Sequence, residues 1–307
     1  MLDLHRLRLL REVSARGTVH AAARSLGYTA SAVSQQLAVL EREAGTPLLE
    51  RVGRNVRLTA AGLVLVDHAD RLLDGVEAAE AEVAAVAAGR LAGVVRIAAF
   101  QSAVLRIVAP AIALLARSHP DIRIEVTEAE VEQSATALRL QQLDLVVGDE
   151  YEDQPRPVHA EFHRENVLHE AINLVLPADH PEAATGQASV ARLADLVWAA
   201  CQPGTGQHQM HLRVTRQLGG FESDLRYTSD DFLILLELVR TTGAAALLPD
   251  LALPYDSPGV VFRPIAEGSV GREVYLLTRR TRTPTVVAVA EALRDAAARA
   301  AEGLAAT

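Results

Sequence analysis

Ser31, Ser34 and Gln35 carry the most specific chemistry in this sequence: two hydroxyls and a primary amide at helical spacings of three and four. Such groups can pair with donors and acceptors on base edges in a DNA major groove. Val33, Leu37 and Leu40 make an apolar stripe on the other side at i, i+4 and i+7, while Arg42 joins the polar front. Arg51, Arg54 and Arg57 surround Gly53 within residues 46–58, which read as a short β-hairpin wing with arginines placed for phosphates or a minor groove. The other reactive residue types form no comparable pattern. Cys201, His208 and His211 are spaced C-x6-H-x2-H, which fits no structural zinc pattern, so no metal is expected. Cys201, the single cysteine, has no resolving partner and reads as a small core residue at a strand end. Ser102 lacks both a G-x-S-x-G elbow and a helper histidine. The loop GTGQHQ lacks the Lys-Ser/Thr ending of a phosphate loop. Glu128, Asp144 and Asp149 could serve acid–base work, although Asp144 reads better as a residue that caps or orients a strand turn. No enzymatic activity and no cofactor are expected.

The polar front needs a scaffold, and residues 18–43 read as two short helices joined by a tight turn. Ala21, Ala22, Ala23 and Leu26 supply close apolar contacts on the first helix; Gly27 would end it and Thr29 would cap the next. A helix with a buried back and a Ser/Gln front, held across a glycine turn, suits the major groove. Charge supports the reading. The chain is acidic at net −9, yet residues 1–58 hold nine Arg against five Asp or Glu, near +4, which leaves the remainder near −13. A basic module on an acidic body is the footprint of nucleic-acid binding. Residues 3–14 make a further amphipathic helix, with Leu4, Leu7, Leu10 and Val13 on one side.

Thr59 reads as the cap of a long helix. Leu65, Ala69, Leu72, Val76, Ala79, Val83 and Val86 alternate at spacings of four and three, with Asp70, Asp74 and Glu77 among the charges off the seam. That is a coiled-coil seam of about three heptads, which either packs against the following domain or, as the length of the seam favours, faces a second copy of the same helix. Gly89 and Gly93 would act as a hinge. From Val94 the pattern becomes strand–helix–strand–helix–strand, and a second set of strands and helices begins near Val167 with its first strand at residues 172–177. The predicted fold class is α/β: a two-lobed domain with its C-terminal helix returning to the first lobe and a ligand cleft between lobes. His159 and His163 are expected in the inter-lobe connection. A charged N-terminus and the lack of 18 consecutive apolar residues point to a cytoplasmic chain without a membrane partner.

In this order of parts the chain resembles a LysR-type transcriptional regulator, most strongly over residues 2–62, in AAARSLGYTASAVSQQLAVLEREAGTPLLERVGRNVRLTAAG. The resemblance implies a winged helix-turn-helix DNA-binding domain at 1–58 and a linker and dimerisation helix at 59–89. It implies an effector-binding domain of periplasmic-binding-protein type at 90–307, with lobe I at 90–162 and 268–302 and lobe II at 163–267. It implies double-stranded operator DNA and a small effector as partners, a homodimer or homotetramer, and leaves RNA polymerase open as a further partner. Carried over by position, the recognition helix offers Thr29, Ala30, Ser31, Ser34 and Gln35, and the wing Arg51 and Arg54. Many members have Gln where this chain has Ala30, so one base contact is absent or becomes an apolar touch. In the effector domain Ser102, Glu128, Asp149, Gln202, Gly204, Thr205, Ser229 and Asp230 are expected to line the cleft. The acidic residues leave room for an amine, and the helix start at Ser102 favours a carboxylate, so an amino-acid-like zwitterion fits both. A plain solute-binding protein and a sequence-indifferent architectural DNA protein are the alternatives. The basic module argues against the first, and the large acidic domain against the second.

Overall fold

Asp3, Thr18, Thr29 and Thr59 each end an extended segment and accept a backbone N–H from three residues ahead, at 3.0–3.2 Å. These caps open α1 (Leu4–Arg16), α2 (Val19–Leu26), α3 (Ala30–Ala44) and α4 (Ala60–Ala88). The computed structural model describes residues 1–305 apart from 53–54, 153, 157–159 and 253–257. Gly27, at φ 71°, turns the chain from α2 into α3. β1 (Leu49–Val52) and β2 (Asn55–Leu58) pair antiparallel as the expected hairpin. Leu7, Leu10, Val33, Leu37, Leu40 and Leu48 form the core of this N-terminal unit. Gly62 lets α4 start against it: a Cβ there would lie 2.2 Å from the Leu48 carbonyl oxygen.

The seam of α4 divides. Leu65 is half-buried and Ala69 buried in the N-terminal core. Farther along, Leu72 is 48%, Val76 37%, Val83 70% and Val86 83% exposed. The acidic residues off the seam do not face solvent alone: Asp70, Asp74 and Glu77 turn toward arginines of the same chain.

The remaining strands are β3 (Gly93–Ala99), β4 (Ile122–Glu128), β5 (Leu145–Tyr151), β6 (Phe162–Pro177), β7 (Val197–Ala200), β8 (Asp224–Thr228), β9 (Ala245–Pro249), β10 (Val260–Pro264) and β11 (Gly271–Arg279). They form one mixed sheet in the order β4-β3-β5-β11-β6-β9-β7-β8, with β10 also paired to β6. Each lobe has its parallel strands, β4-β3-β5 and β9-β7-β8, and the antiparallel β11 and β6 join them. The crossing expected at 162/163 lies instead inside β6. Residues up to Ala171 pair with β11, whereas Ile172 and beyond pair with β9 and β10. The first half of β6 was not visible as a strand because its side chains are charged. They are satisfied across the sheet and by the last helix, as in Arg164–Glu150 and Arg294–Glu165. His163 accordingly sits on β6 opposite Thr278, and His159 lies outside the described residues.

α5 (Gln101–Ala103), a π-helical turn (Val104–Val108) and α6 (Ala109–Ser118) follow β3 as one apolar helical stretch. With α10 (Pro284–Ala305) this stretch covers lobe I, where Ile107, Ala111, Leu115, Val289 and Leu293 pack on the sheet. α7 (Val131–Arg139) covers the opposite face. Lobe II has α8 (Gly206–Gln217) on one face, packed around Trp198 and Met210, and α9 (Phe232–Thr242) on the other.

Candidate functional site: the recognition helix and the inter-lobe cleft

On α3 the two faces separate cleanly. Val33, Leu37 and Leu40 are buried, and Ser31, Ser34, Gln35 and Arg42 are exposed. Thr29 is occupied as a cap, its hydroxyl accepting from Ala32 N–H and lying 3.1 Å from Ser31 Oγ. Ala30 is half-buried against the N-terminal core. Tyr28, 48% exposed and edge-on to His5, extends the same surface and was not singled out from sequence. Of the wing arginines, Arg54 and the side chain of Arg51 lie outside the described residues. Arg57 pairs with Glu50 at 2.6 Å.

The cleft between lobes has Arg272 of β11 at its floor, 1% exposed. Its Nε donates to Glu170 at 2.7 Å, its Nη1 to Asp149 at 2.9 Å and its Nη2 to the Ser102 hydroxyl at 2.8 Å. The guanidinium also lies 4.6 Å from the Phe100 ring centroid. Burial opposes its charge, but the Glu170 and Asp149 carboxylates more than compensate and raise its pKa above the ordinary arginine value. Burial likewise raises the Tyr151 hydroxyl well above its usual range, so it remains a neutral phenol. Across the cleft, Gln101 reaches from lobe I to the first turn of α9. Its Nε2 donates to Asp231 at 2.6 Å, and its Oε1 accepts from Phe232 N–H at 2.8 Å. The lobes therefore close on a cavity of about 20 Å³, the size of one water molecule.

Of the expected cleft residues, Asp149, Thr205 and Asp230 line this cavity. Ser102 does not present its hydroxyl there; it is fully buried behind the cavity wall as the acceptor for Arg272. Glu128 is exposed at the end of β4, and Glu130 lines the cavity in its place. Gln202 N–H donates to Asp230 and its amide reaches Thr228 O, so Gln202 braces the loop rather than lining the cavity. Gly204 makes the turn before α8 at φ 100°, and Thr205 caps that helix by accepting from His208 N–H. The Ser229 hydroxyl accepts from Asp231 N–H. Arg272, Glu170 and Gln101, which organise the site, were missed. Nothing in the spacing of a lone arginine after Gly271 marks it as a cleft floor. The trio Cys201, His208 and His211 does not converge. The His208 ring contacts the Cys201 carbonyl, whereas His211 faces Ser223 and stacks edge-on to Trp198 at 5.2 Å. Burial, with a smaller effect of His208, lowers the His211 pKa to about 4, and burial pushes the Cys201 thiol up.

Comparison with known proteins places these features in one group. The family model described as "LysR substrate binding domain" matches residues 88–298, and that described as "Bacterial regulatory helix-turn-helix protein, lysR family" matches residues 4–63. The chain belongs to the LysR family of transcriptional regulators. It is a DNA-binding regulator with an effector-binding domain. HTH-type transcriptional regulator GbpR of Azospirillum brasilense is 30% identical over 199 residues, 64% of this chain and 57% of that one. Probable HTH-type transcriptional regulator LrrA of Synechococcus elongatus is 27% identical over 304 residues, 96% of this chain and 98% of its own. Among solved structures, a full-length OxyR variant from Pseudomonas aeruginosa shares the fold at a TM-score of 0.67 and 20% identity, covering 97% of this chain and 95% of that one. The LysR fold thus accounts for both the exposed face of α3 and the two-lobed cleft.

Proposed function

We propose that α3 reads operator DNA through Ser31, Ser34 and Gln35 and that the inter-lobe cleft takes a small zwitterion of amino-acid type. The Gln101 bridge carries the second half of this reading: a lobe I amide occupies the N-terminus of α9 in lobe II, beside Glu130 and Asp230. A ligand carboxylate can take the Phe232 N–H that Gln101 now holds, and its amine can meet the two acidic side chains. The carboxylate position therefore moves from Ser102, whose hydroxyl Arg272 occupies, to the first turn of α9. Replacing the bridge changes how the lobes are held, and only such a difference between states lets a ligand shift a population. The exposed stripe Leu72, Val76, Val83 and Val86 pairs α4 with a second copy. Ser102 Oγ accepts from a cation instead of donating to a base, which supports a sensor and not an enzyme. A regulator of chromosomal DNA works in the compartment that holds the chromosome, the bacterial cytoplasm.

The test is a gel-shift comparison of DNA flanking the gene with scrambled DNA. Ser34→Ala and Gln35→Ala should each cost about 1–3 kcal/mol on the flanking DNA and little on scrambled DNA. Equal losses on both would overturn base reading by this face. For the cleft, an amino acid present at 100 times its Kd should stabilise the protein by about 2.7 kcal/mol in a thermal-shift screen. Stabilisation by neutral or purely acidic compounds alone would replace the zwitterion.

A further inference from the structure

Outside the cleft, a second polar cluster joins all three parts of the chain, and its centre is Gln141. This residue follows α7 and is the one non-glycine with positive φ among the described residues, at 60°. Such a conformation is uncommon for glutamine and persists where surrounding contacts hold it. The turn ends α7, with the Gln142 and Leu143 N–H groups both donating to the Ala137 carbonyl, and it leaves the Gln141 side chain to reach other domains. Gln141 Oε1 accepts from Arg11 Nη2 of α1 at 3.1 Å. Its Nε2 donates to Asp74 at 3.1 Å and Glu77 at 2.8 Å, both on α4. One amide of the effector domain thus touches the DNA-binding domain and the linker helix together. Arg279 of β11 supports the same helix. Its Nη2 donates to Glu77 and Asp144, each at 3.2 Å, and its Nη1 is taken by the Leu138 and Leu143 carbonyls of the effector domain. Arg11 is 1% exposed, and its remaining ion-pair partner, Asp70, is 3.9 Å away.

We propose that Gln141 is a positioning residue that docks α1 and α4 onto the effector domain of the same chain, fixing the angle at which the recognition helix is carried. Arg279 is anchored within its own domain by two carbonyls and would keep those bonds if the linker swung away. Gln141 spends its whole amide on groups outside its domain. This role does not depend on what the cleft binds.

The experiment measures one intrachain distance. Full-length protein carrying spin labels at Arg24→Cys in α2 and Asp195→Cys in lobe II, both exposed sites, is diluted into excess unlabelled chain so that only pairs within a chain report. Double electron–electron resonance should give a single narrow distance peak for the parent. Gln141→Gly removes the amide while relieving the backbone, so the fold should hold by circular dichroism and the narrow peak should be lost. Arg11→Met should broaden the same distance, and the double variant should be no broader than either single one. A narrow peak retained in Gln141→Gly overturns the proposal, even if Arg11→Met fails to fold. Additive broadening in the double variant also overturns it, because Gln141 and Arg11 would then act separately.

Discussion

The Ser102 hydroxyl and the Arg272 guanidinium meet at 2.8 Å in a place with almost no solvent. Replacing Ser102 with alanine removes the acceptor without adding bulk to a fully buried position, so an arginine N–H loses its partner in the interior. Such a loss costs about 1–3 kcal/mol. Urea unfolding of Ser102→Ala should show a destabilisation of that order, and a change within about 0.5 kcal/mol would mean the contact is not formed. Any change in effector response would then have to be separated from this stability effect. At this scale the sequence was readable where local chemistry decides. The caps at Thr29 and Thr59 and the Ser/Gln front of α3 follow from neighbours within four residues. The floor of the cleft was not readable, because Ser102, Asp149, Glu170 and Arg272 come from four separate stretches that only the sheet register brings together.

Elements were legible in proportion to how far their side chains follow a hydrophobic period. β5 is a run of buried residues from Leu145 to Asp149, and it was found; the first half of β6 is a run of charges, and it was not. The difference lies in compensation, since cross-strand ion pairs such as Arg164–Glu150 make a polar strand tolerable. α4 illustrates both sides of the same point. Its seven-residue pattern was evident, but periodicity alone could not divide the seam between the N-terminal core, which takes Leu65 and Ala69, and the surface, which keeps Leu72 and Val76. That division sharpens a test. Leu72 and Val76 are exposed within the chain, so Leu72→Glu or Val76→Glu should leave the subunit folded while forcing an unpaired charge into any seam between copies. Sedimentation should show dissociation at micromolar concentration. An unchanged oligomer with either variant would remove α4 as the pairing element.

For the whole molecule, the contact between domains is built from ionisable groups that are only partly compensated, and this gives folding a pH dependence. Burial raises the Asp70 pKa from 3.8 to about 6, against the pull of Arg11, with Asp74 adding to the rise and Arg139 and Glu161 acting from the effector domain. Burial also raises Asp74 and Glu77. A carboxyl whose pKa is higher folded than unfolded binds more protons in the native state between about pH 4 and 6, so stability rises as pH falls through that window. Above pH 6 Asp70 is ionised and the cost of burying its charge is fully present. Asp70→Asn removes that charge and its titration while Asp74 and Glu77 remain. Thermal melts should therefore find the variant more stable than the parent at pH 7.5, with that advantage about halved at pH 5 and nearly gone at pH 4. A difference that does not change with pH would show that Asp70 is not the group that titrates. If the parent instead loses stability relative to the variant as pH falls below about 4, then Arg11 holds Asp70 ionised, and the joint between the DNA-binding domain and the linker helix is a true ion pair.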